Sequence, residues 1–300
     1  MGRFIKVGAT NCVLLNTSDL RAVSMTARAV MEVAWGGVPA GGDTGNYKDW
    51  GLREYRVKAS AMMAKLYQDY FGAIPKTATG NDYGDQIYHS EARQMLMSQM
   101  ITGPYYSIPG QSPKWTAVRL IGVPLSGANP NLPMGPNYAI ATATRELKVT
   151  GDAQSKWDAV WREALAGEAA VPADRKLYYD YAIITNIAMN RDGNHILYLL
   201  SHAVLAAQKG DKAAARRDAL ATMADFAEIK KRGKQAEYDK WKNWYRGEWL
   251  DGVDETHKMV QDYIAWLDDP LKVPQPTIVN SWQGYYHIMH YEGTKQTDVN

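Results

Sequence analysis

Cysteine is almost absent from this chain of 300 residues: there is one, Cys12, in an apolar run. A single thiol excludes an internal disulfide and leaves the redox compartment open. Its apolar neighbours predict a buried, inert side chain. Long hydrophobic runs are missing too. No stretch approaches the ~20 apolar residues of a membrane span, so no membrane partner is expected. The opening residues, MGRFIKVGAT, lack the apolar middle section and small-residue cleavage site of a signal peptide. Localisation is therefore unassigned; a truncated start would leave a periplasmic or secreted place open. Charge of one sign is not in excess either. Thirty-four Lys and Arg face 32 Asp and Glu, a net charge of +2, too balanced to argue for nucleic acid as a partner. Phenylalanine is scarce, three residues against 19 tyrosines and ten tryptophans. Aromatics that keep a polar handle suit sugar platforms and ordinary helix packing alike.

The familiar chemical motifs are missing as well. There is no G-x-S-x-G, no H-E-x-x-H, no phosphate loop and no dinucleotide fingerprint. No cofactor is expected. Carboxylates are many, but no isolated, apolar-flanked pair reads as acid and base, so the catalytic residues stay unassigned. What remains is the make-up of a globular protein, 46% hydrophobic and 22% charged, with a mean hydropathy of −0.41.

Periodicity points to a mainly α protein. Val7 to Leu15 reads as one strand. Leu20, Val23, Ala27, Val30 and Ala34 then recur at helical spacing until Gly36 and Gly37 stop them. Tyr47 to Tyr55 predicts a short helix, and Ala59, Met62, Met63, Leu66, Tyr67 and Tyr70 a second one whose stripe packs into a core. Ser90 to Ile101 continues the pattern. Gly103 to Pro136 interrupts it with seven of the 13 prolines, a loop or insertion in which WTAVRLIGV predicts a short strand. Helices are expected again over Asp152 to Leu165 and Ala173 to Asn190. Asp192, Gly193 and Asn194 predict a tight break. Ile196, Leu199, Leu200, Ala203, Val204 and Ala207 mark the next helix. Gly210 should end it and Asp211 should cap its successor, which carries Ala219, Met223 and Phe226. Val260, Tyr263, Ile264 and Leu267 mark a final helix stopped by Asp269 and Pro270. The short link at residues 208–212 favours antiparallel neighbours, hence a helical bundle. Four segments follow from this: 1–102, a strand-helix unit and the first helices; 103–150, the Pro/Gly-rich insertion; 151–270, the bundle; and 271–300, an aromatic tail.

Candidate ligands are sparse. His287 and His290 with Glu292 lie close in sequence, but no third histidine completes a matching offset and nearby glycines disfavour a helix. His195 and His202 suit a core or a helix end. No metal is expected. Lys230 to Trp249 interleaves basic residues with tryptophans, the texture of a single-strand nucleic-acid platform; the low net charge favours a solvated helix end instead.

The stretch VLLNTSDLRA, Val13 to Ala22, is an apolar run ending in small polar residues ahead of a helical pattern. It resembles a segment of glycoside hydrolase family 115, the xylan alpha-glucuronidases. In that family a late barrel strand ends in an Asn-x-Gly-Asp-x-Lys-Pro run, followed by a helix closing with an Ala-Trp pair. Asn16, Asp19, Ala34 and Trp35 match; Ser18, Arg21 and Ala22 replace the glycine, lysine and proline. YKDWGLREY, YYDYAIITNIAMN and DKWKNW resemble the helix pair and helical domain after the barrel, though DKWKNW lacks the family's glycine. The resemblance implies a helical bundle preceded by a unit like the end of a (β/α)8 barrel. The earlier strands, and with them the principal acid and base, would lie outside this chain.

On this resemblance Asn16, Asp19 and Arg21 would bind substrate, Arg21 by pairing with a sugar carboxylate. Asp19 is equally suited to capping the following helix; the two roles are compatible. The implied function is that of the C-terminal, mostly helical portion of a glycoside hydrolase acting on glucuronosyl-substituted xylan or a related polysaccharide. By itself the chain is expected to be inactive. Its partners would be a polysaccharide or oligosaccharide, and a barrel-supplying chain or a second copy of this one. The alternative is a non-catalytic helical scaffold, or a module that binds carbohydrate or protein.

Overall fold

A computed structural model describes residues 5–8, 11–15, 23–38, 41–76, 83, 85–100, 136–246 and 253–270. These are mainly α-helical, and no strand occurs among them. The helices are α1 (Ser24–Gly36), α2 (Gly42–Ala73), α3 (Asp85–Met100), α4 (Pro136–Gly167), α5 (Lys176–Tyr179), α6 (Thr185–Gln208), α7 (Lys212–Gln235) and α8 (Val253–Asp268). A π-helical turn, Asp180–Ile184, joins α5 to α6. The chain divides into two compact units, residues 1–73 with 156–187, and residues 74–155 with 188–300.

In the first unit α2 is two helices in one. Arg56 interrupts it with φ 65° and ψ 175°, as the separate patterns of Tyr47–Tyr55 and Ala59–Tyr70 anticipated. The legs clasp each other across this point. Ser60 Oγ donates to the Lys48 carbonyl at 2.9 Å. Gly51 approaches Ser60 and Met63 so closely that a Cβ would lie 2.9 Å from each. Tyr55, Ala59, Met63, Leu66, Trp157 and Tyr179 are buried between these legs, α4 and α5. The Tyr179 hydroxyl donates to the Ala164 carbonyl at 2.7 Å, which meets the polar requirement of a buried phenol.

In the second unit α6 and α7 are antiparallel. His195 Nδ1 lies 2.9 Å from Asp225 Oδ2, and the two residues are equidistant in sequence from Gly210. That glycine takes φ 79°, and Asp211 Oδ1 accepts the Ala214 amide at 2.9 Å. Both are the end signals read from the sequence. Leu96, Leu197, Leu200, Val204, Phe226, Val260 and Tyr263 form the core with α3 and α8. The Tyr263 hydroxyl donates to Gln99 Oε1 at 2.6 Å, and Gln99 Nε2 to the Val204 carbonyl at 2.9 Å.

Several expectations are corrected. Cys12 to Leu15 forms no strand: Gly8 closes a short turn with φ 77°, and no described segment pairs with the residues beyond it. A lone strand leaves its amides without acceptors and is not stable. Leu14 is 95% exposed, and Cys12 is exposed rather than buried. Helix α1 starts at Ser24, not Leu20, and its N-cap position is Val23, which supplies no side-chain cap. Asp19 lies outside the described residues. Helix α4 starts at Pro136, sixteen residues before the expected Asp152, with proline in the first position, where its missing N–H is harmless.

The break at Asp192-Gly193-Asn194 does not occur; α6 runs through it. Tertiary contacts absorb the turn-forming residues. A Cβ on Gly193 would stand 3.0 Å from the Tyr88 ring. The Asn194 amide donates to the Thr150 carbonyl at 2.9 Å and Gln154 Oε1 at 2.7 Å. Asp192 pairs with Arg191 at 2.5 Å. The proline-rich segment with WTAVRLIGV, and the C-terminal tail, lie outside the described residues.

Candidate functional site

The strongest candidate is a cleft of about 110 Å3 in the first unit. Three features meet there. The first turn of α1 contributes Val23 to Thr26. Helix geometry leaves the amides of Ser24, Met25 and Thr26 without intrahelical acceptors, and the first helical bond runs from the Ala27 amide to the Val23 carbonyl at 2.8 Å. The second leg of α2 contributes Leu66, Tyr67, Tyr70 and Phe71. The π-turn contributes Ala182 and Ile183, followed by Asn186. π-Turns widen a helix by one residue and concentrate at functional positions.

The aromatic wall is held from behind. Tyr70 meets Trp157 edge to face at 5.4 Å between centroids, and Tyr67 stacks on Phe71 at 6.5 Å. Asn186 Nδ2 donates to the Ala182 carbonyl at 3.0 Å, taking up an acceptor within the π-turn. Ser24 Oγ is 3.4 Å from the Tyr178 hydroxyl. Burial pushes the pKa values of Tyr67 and Tyr178 up, so both phenols stay protonated at neutral pH. The cleft thus offers aromatic faces, neutral hydroxyls, an amide side chain and the positive end of a helix dipole. Its described walls hold no carboxylate, histidine or lysine. Such a lining suits a small polar or anionic group; it has no carboxylate, imidazole or amine to move a proton.

The displaced carboxyl pKa values lie elsewhere, in the second unit. Burial raises Glu91 to about 7, with Glu146 adding to the rise and Arg145 opposing it. Arg145 joins the pair, with Nη2 3.0 Å from Glu91 and Nε 2.5 Å from Glu146. Tyr83 donates to Glu146 at 2.6 Å. Glu146 is fully buried and Glu91 is half-buried; no cleft described here opens onto the pair, and it serves as a cross-link between α3 and α4. Burial also raises Asp192 to about 7, against the charge and hydrogen bond of Arg191. Asp192 too is buried. Perturbed groups suggest function only where a ligand can reach them.

Asn16, Asp19 and Arg21 lie outside the described residues. In the sequence they stand immediately ahead of Val23, where the wall of the cleft begins. His287, His290 and Glu292 also lie outside. His195 pairs with Asp225, and His202 Nε2 is 3.2 Å from the Tyr198 hydroxyl. Among the described residues no three potential metal ligands converge, and no helix is long and apolar enough to cross a membrane. Sequence reading took Tyr67 and Tyr70 as core stripe alone. Their second role as cleft wall depends on α1 and the π-turn, which leave no periodic signal. No family model, curated protein or solved structure matches the chain.

Proposed function

We propose that the chain is the mostly helical portion of a carbohydrate-active protein, and that its cleft at the start of α1, which at about 110 Å3 is smaller than the roughly 300–1,000 Å3 of a typical small-molecule site, takes the acidic group of a sugar whose ring lies at its mouth. The observation that carries this reading is the cleft's composition: Tyr67, Tyr70 and Phe71 line it together with the first turn of α1, whose N-cap residue Val23 supplies no side-chain cap. Phenol and phenyl rings suit the C–H groups of a pyranose, and a helix N-terminus suits a carboxylate. The Asn16 to Arg21 segment enters this wall directly in sequence, which agrees with substrate-binding roles for Asn16, Asp19 and Arg21. In the fuller form of the proposal, the complete enzyme is a glycoside hydrolase acting on glucuronosyl-substituted xylan or a related polysaccharide. The residues ahead of α1 then complete a (β/α)8 barrel supplied by another chain or a second copy. Exposed Leu14 beside half-buried Val13 and Leu15 is the apolar segment that would pair there.

A second reading, a non-catalytic module binding carbohydrate or protein, is favoured by one observation: no acid–base side chain lines the described cleft. The two readings share the binding step and differ in turnover. Calorimetric titration with glucuronic acid and aldouronic oligosaccharides tests the shared step. Binding by the wild type, lost in Thr26→Phe, is expected, because Thr26 is exposed at the cleft mouth. Absence of binding by both sugars would remove the carbohydrate reading. The purified chain is expected not to cleave an aryl glucuronide, because a retaining or inverting glycosidase needs two flanking carboxyl groups. Robust turnover would overturn the view that these lie on a partner.

A further inference from the structure

We propose that α1 and the first leg of α2 exchange between two copies of this chain, with Arg56 as the hinge. Straightening α2 there makes one continuous helix. The resulting swapped dimer has clefts that take Val23 to Thr26 from one copy and Tyr67, Tyr70 and Phe71 from the other. One residue sets sequence against backbone. Arg56 holds φ 65° and ψ 175°, a region that belongs almost wholly to glycine. Yet residues 52–59, LREYRVKA, contain no glycine, no proline and none of Ser, Thr, Asp or Asn. The start of a helix leaves amides that such polar side chains cap, and none stands where the second leg begins. Leucine, arginine, glutamate, lysine and alanine are instead among the best helix formers. By local rules this stretch is the middle of a helix of 32 residues, Gly42–Ala73, and only packing bends it.

That packing joins parts that a second copy supplies equally well. Tyr47 of the first leg stacks on Tyr67 and Phe71 of the second, with centroids 5.8 and 5.7 Å apart. The Ser60 hydrogen bond and the close approach of Gly51 join the legs nearer the hinge. Helix α1 belongs with the first leg. Glu32 Oε1 lies 3.5 Å from Arg53 Nη1, and the Arg28 guanidinium stands 6.0 Å from the Trp50 ring centroid. Exchanging the two as a block therefore re-forms these contacts between chains instead of within one.

What changes is the hinge. Arg56 leaves its strained conformation in both copies, and a short hinge under strain favours this kind of exchange. The cost is the 2.7 Å pair of Arg56 with Asp174, which is exposed and contributes little. Two straightened helices also meet at the hinge of a two-fold dimer. Val57, 80% exposed in the hairpin, and Leu52, 47% exposed, are the apolar residues beside it. Their burial is the new contact that the hairpin lacks. The partner is a second copy because only this chain carries the matching leg. The exchange keeps the lining of the cleft, so it does not depend on what the cleft binds.

The test is refolding of the full chain from urea at low and at high protein concentration, with size-exclusion chromatography and light scattering reporting mass. The wild type is expected to give a dimer whose share rises with the concentration during refolding. Glycine relieves the hairpin and weakens the straight helix. Arg56→Gly should therefore lower the association constant by roughly a hundredfold, about tenfold for each of the two hinges. Arg56→Ala keeps the strain, loses the Asp174 pair and should dimerise at least as well as the wild type. Spin labels at Lys48→Cys and Gln68→Cys, both exposed positions, in a Cys12→Ser background, read the hinge directly when labelled chains are diluted into unlabelled ones. The distance within a chain should lengthen from hairpin to dimer, towards the roughly 30 Å spanned by about 20 residues of helix. If the wild type and Arg56→Ala both stay monomeric, the exchange is overturned. A dimer whose distance within the chain is unchanged, or one that Arg56→Gly leaves as strong, also overturns it. Either result would mean side-by-side pairing, for which the exposed Met31 and Trp35 of α1 offer an apolar face.

Discussion

Replacing Gly51 by alanine should destabilise the protein, although a helix ordinarily gains from that change. Alanine in place of glycine in a helix interior is favoured by about 1 kcal/mol. At Gly51 the added methyl would lie 2.9 Å from Met63 Cβ, 2.9 Å from the Ser60 carbonyl oxygen and 3.2 Å from Ser60 Cα. Two of those three atoms are backbone and cannot rotate away. Met63 is itself fully buried, so the legs of α2 must separate, and overpacking of this kind costs roughly 1–3 kcal/mol. The net expectation is a loss of about 1 kcal/mol. Gly72, in the second leg, is the internal control, because nothing lies within 4 Å of its would-be Cβ. Gly72→Ala should be stabilising by up to about 1 kcal/mol. The two variants then differ by about 2 kcal/mol, or roughly 8–16 °C in melting temperature for a unit of about 100 residues. Scanning calorimetry of both variants beside the wild type gives the order directly. If Gly51→Ala melts at or above Gly72→Ala, the legs do not clasp as described.

Two further predictions concern strain and protonation. At Arg56 the positive φ of 65° costs an ordinary side chain roughly 1–3 kcal/mol. Arg56→Gly should therefore be more stable than Arg56→Ala by about 1 kcal/mol in urea titration, the reverse of the usual helical order; both variants lose the exposed 2.7 Å pair with Asp174 equally. Asp192, raised by burial to about 7, holds its proton more tightly folded than unfolded. Its contribution to stability is complete below the ordinary aspartate value near 4 and is lost as pH rises through about 7. Asp192→Asn removes that dependence, so the stability of the variant relative to wild type should climb between pH 4 and 7, by an amount on the order of 1–4 kcal/mol. A flat difference across that range would mean that Asp192 is ionised in the fold throughout.

Local signals determined much of the architecture. Apolar spacings of three and four mark α1, both legs of α2, α6, α7 and α8, because one buried face is a property of sequence alone. Gly210 and Asp211 mark the turn between α6 and α7 for a reason equally local: a glycine takes positive φ freely and an aspartate caps the next amides. The same local rules misplaced the break at Gly193, whose missing Cβ serves the approach of Tyr88 rather than a turn. They also made a strand of Cys12 to Leu15, since alternation and apolarity describe what a segment could pair with, while pairing itself needs a second segment. The cleft was legible only in fragments. Tyr67 and Tyr70 stood out as a stripe, but a stripe does not say which rings face a neighbour and which face a cavity. That depended on the first turn of α1, about forty residues earlier in the chain, and on a π-turn at Asp180–Ile184, more than a hundred residues later. The carboxyl pKa values of Glu91 and Asp192 were invisible for the same reason, because desolvation is created by the neighbours a fold brings together and not by the residues beside them in sequence.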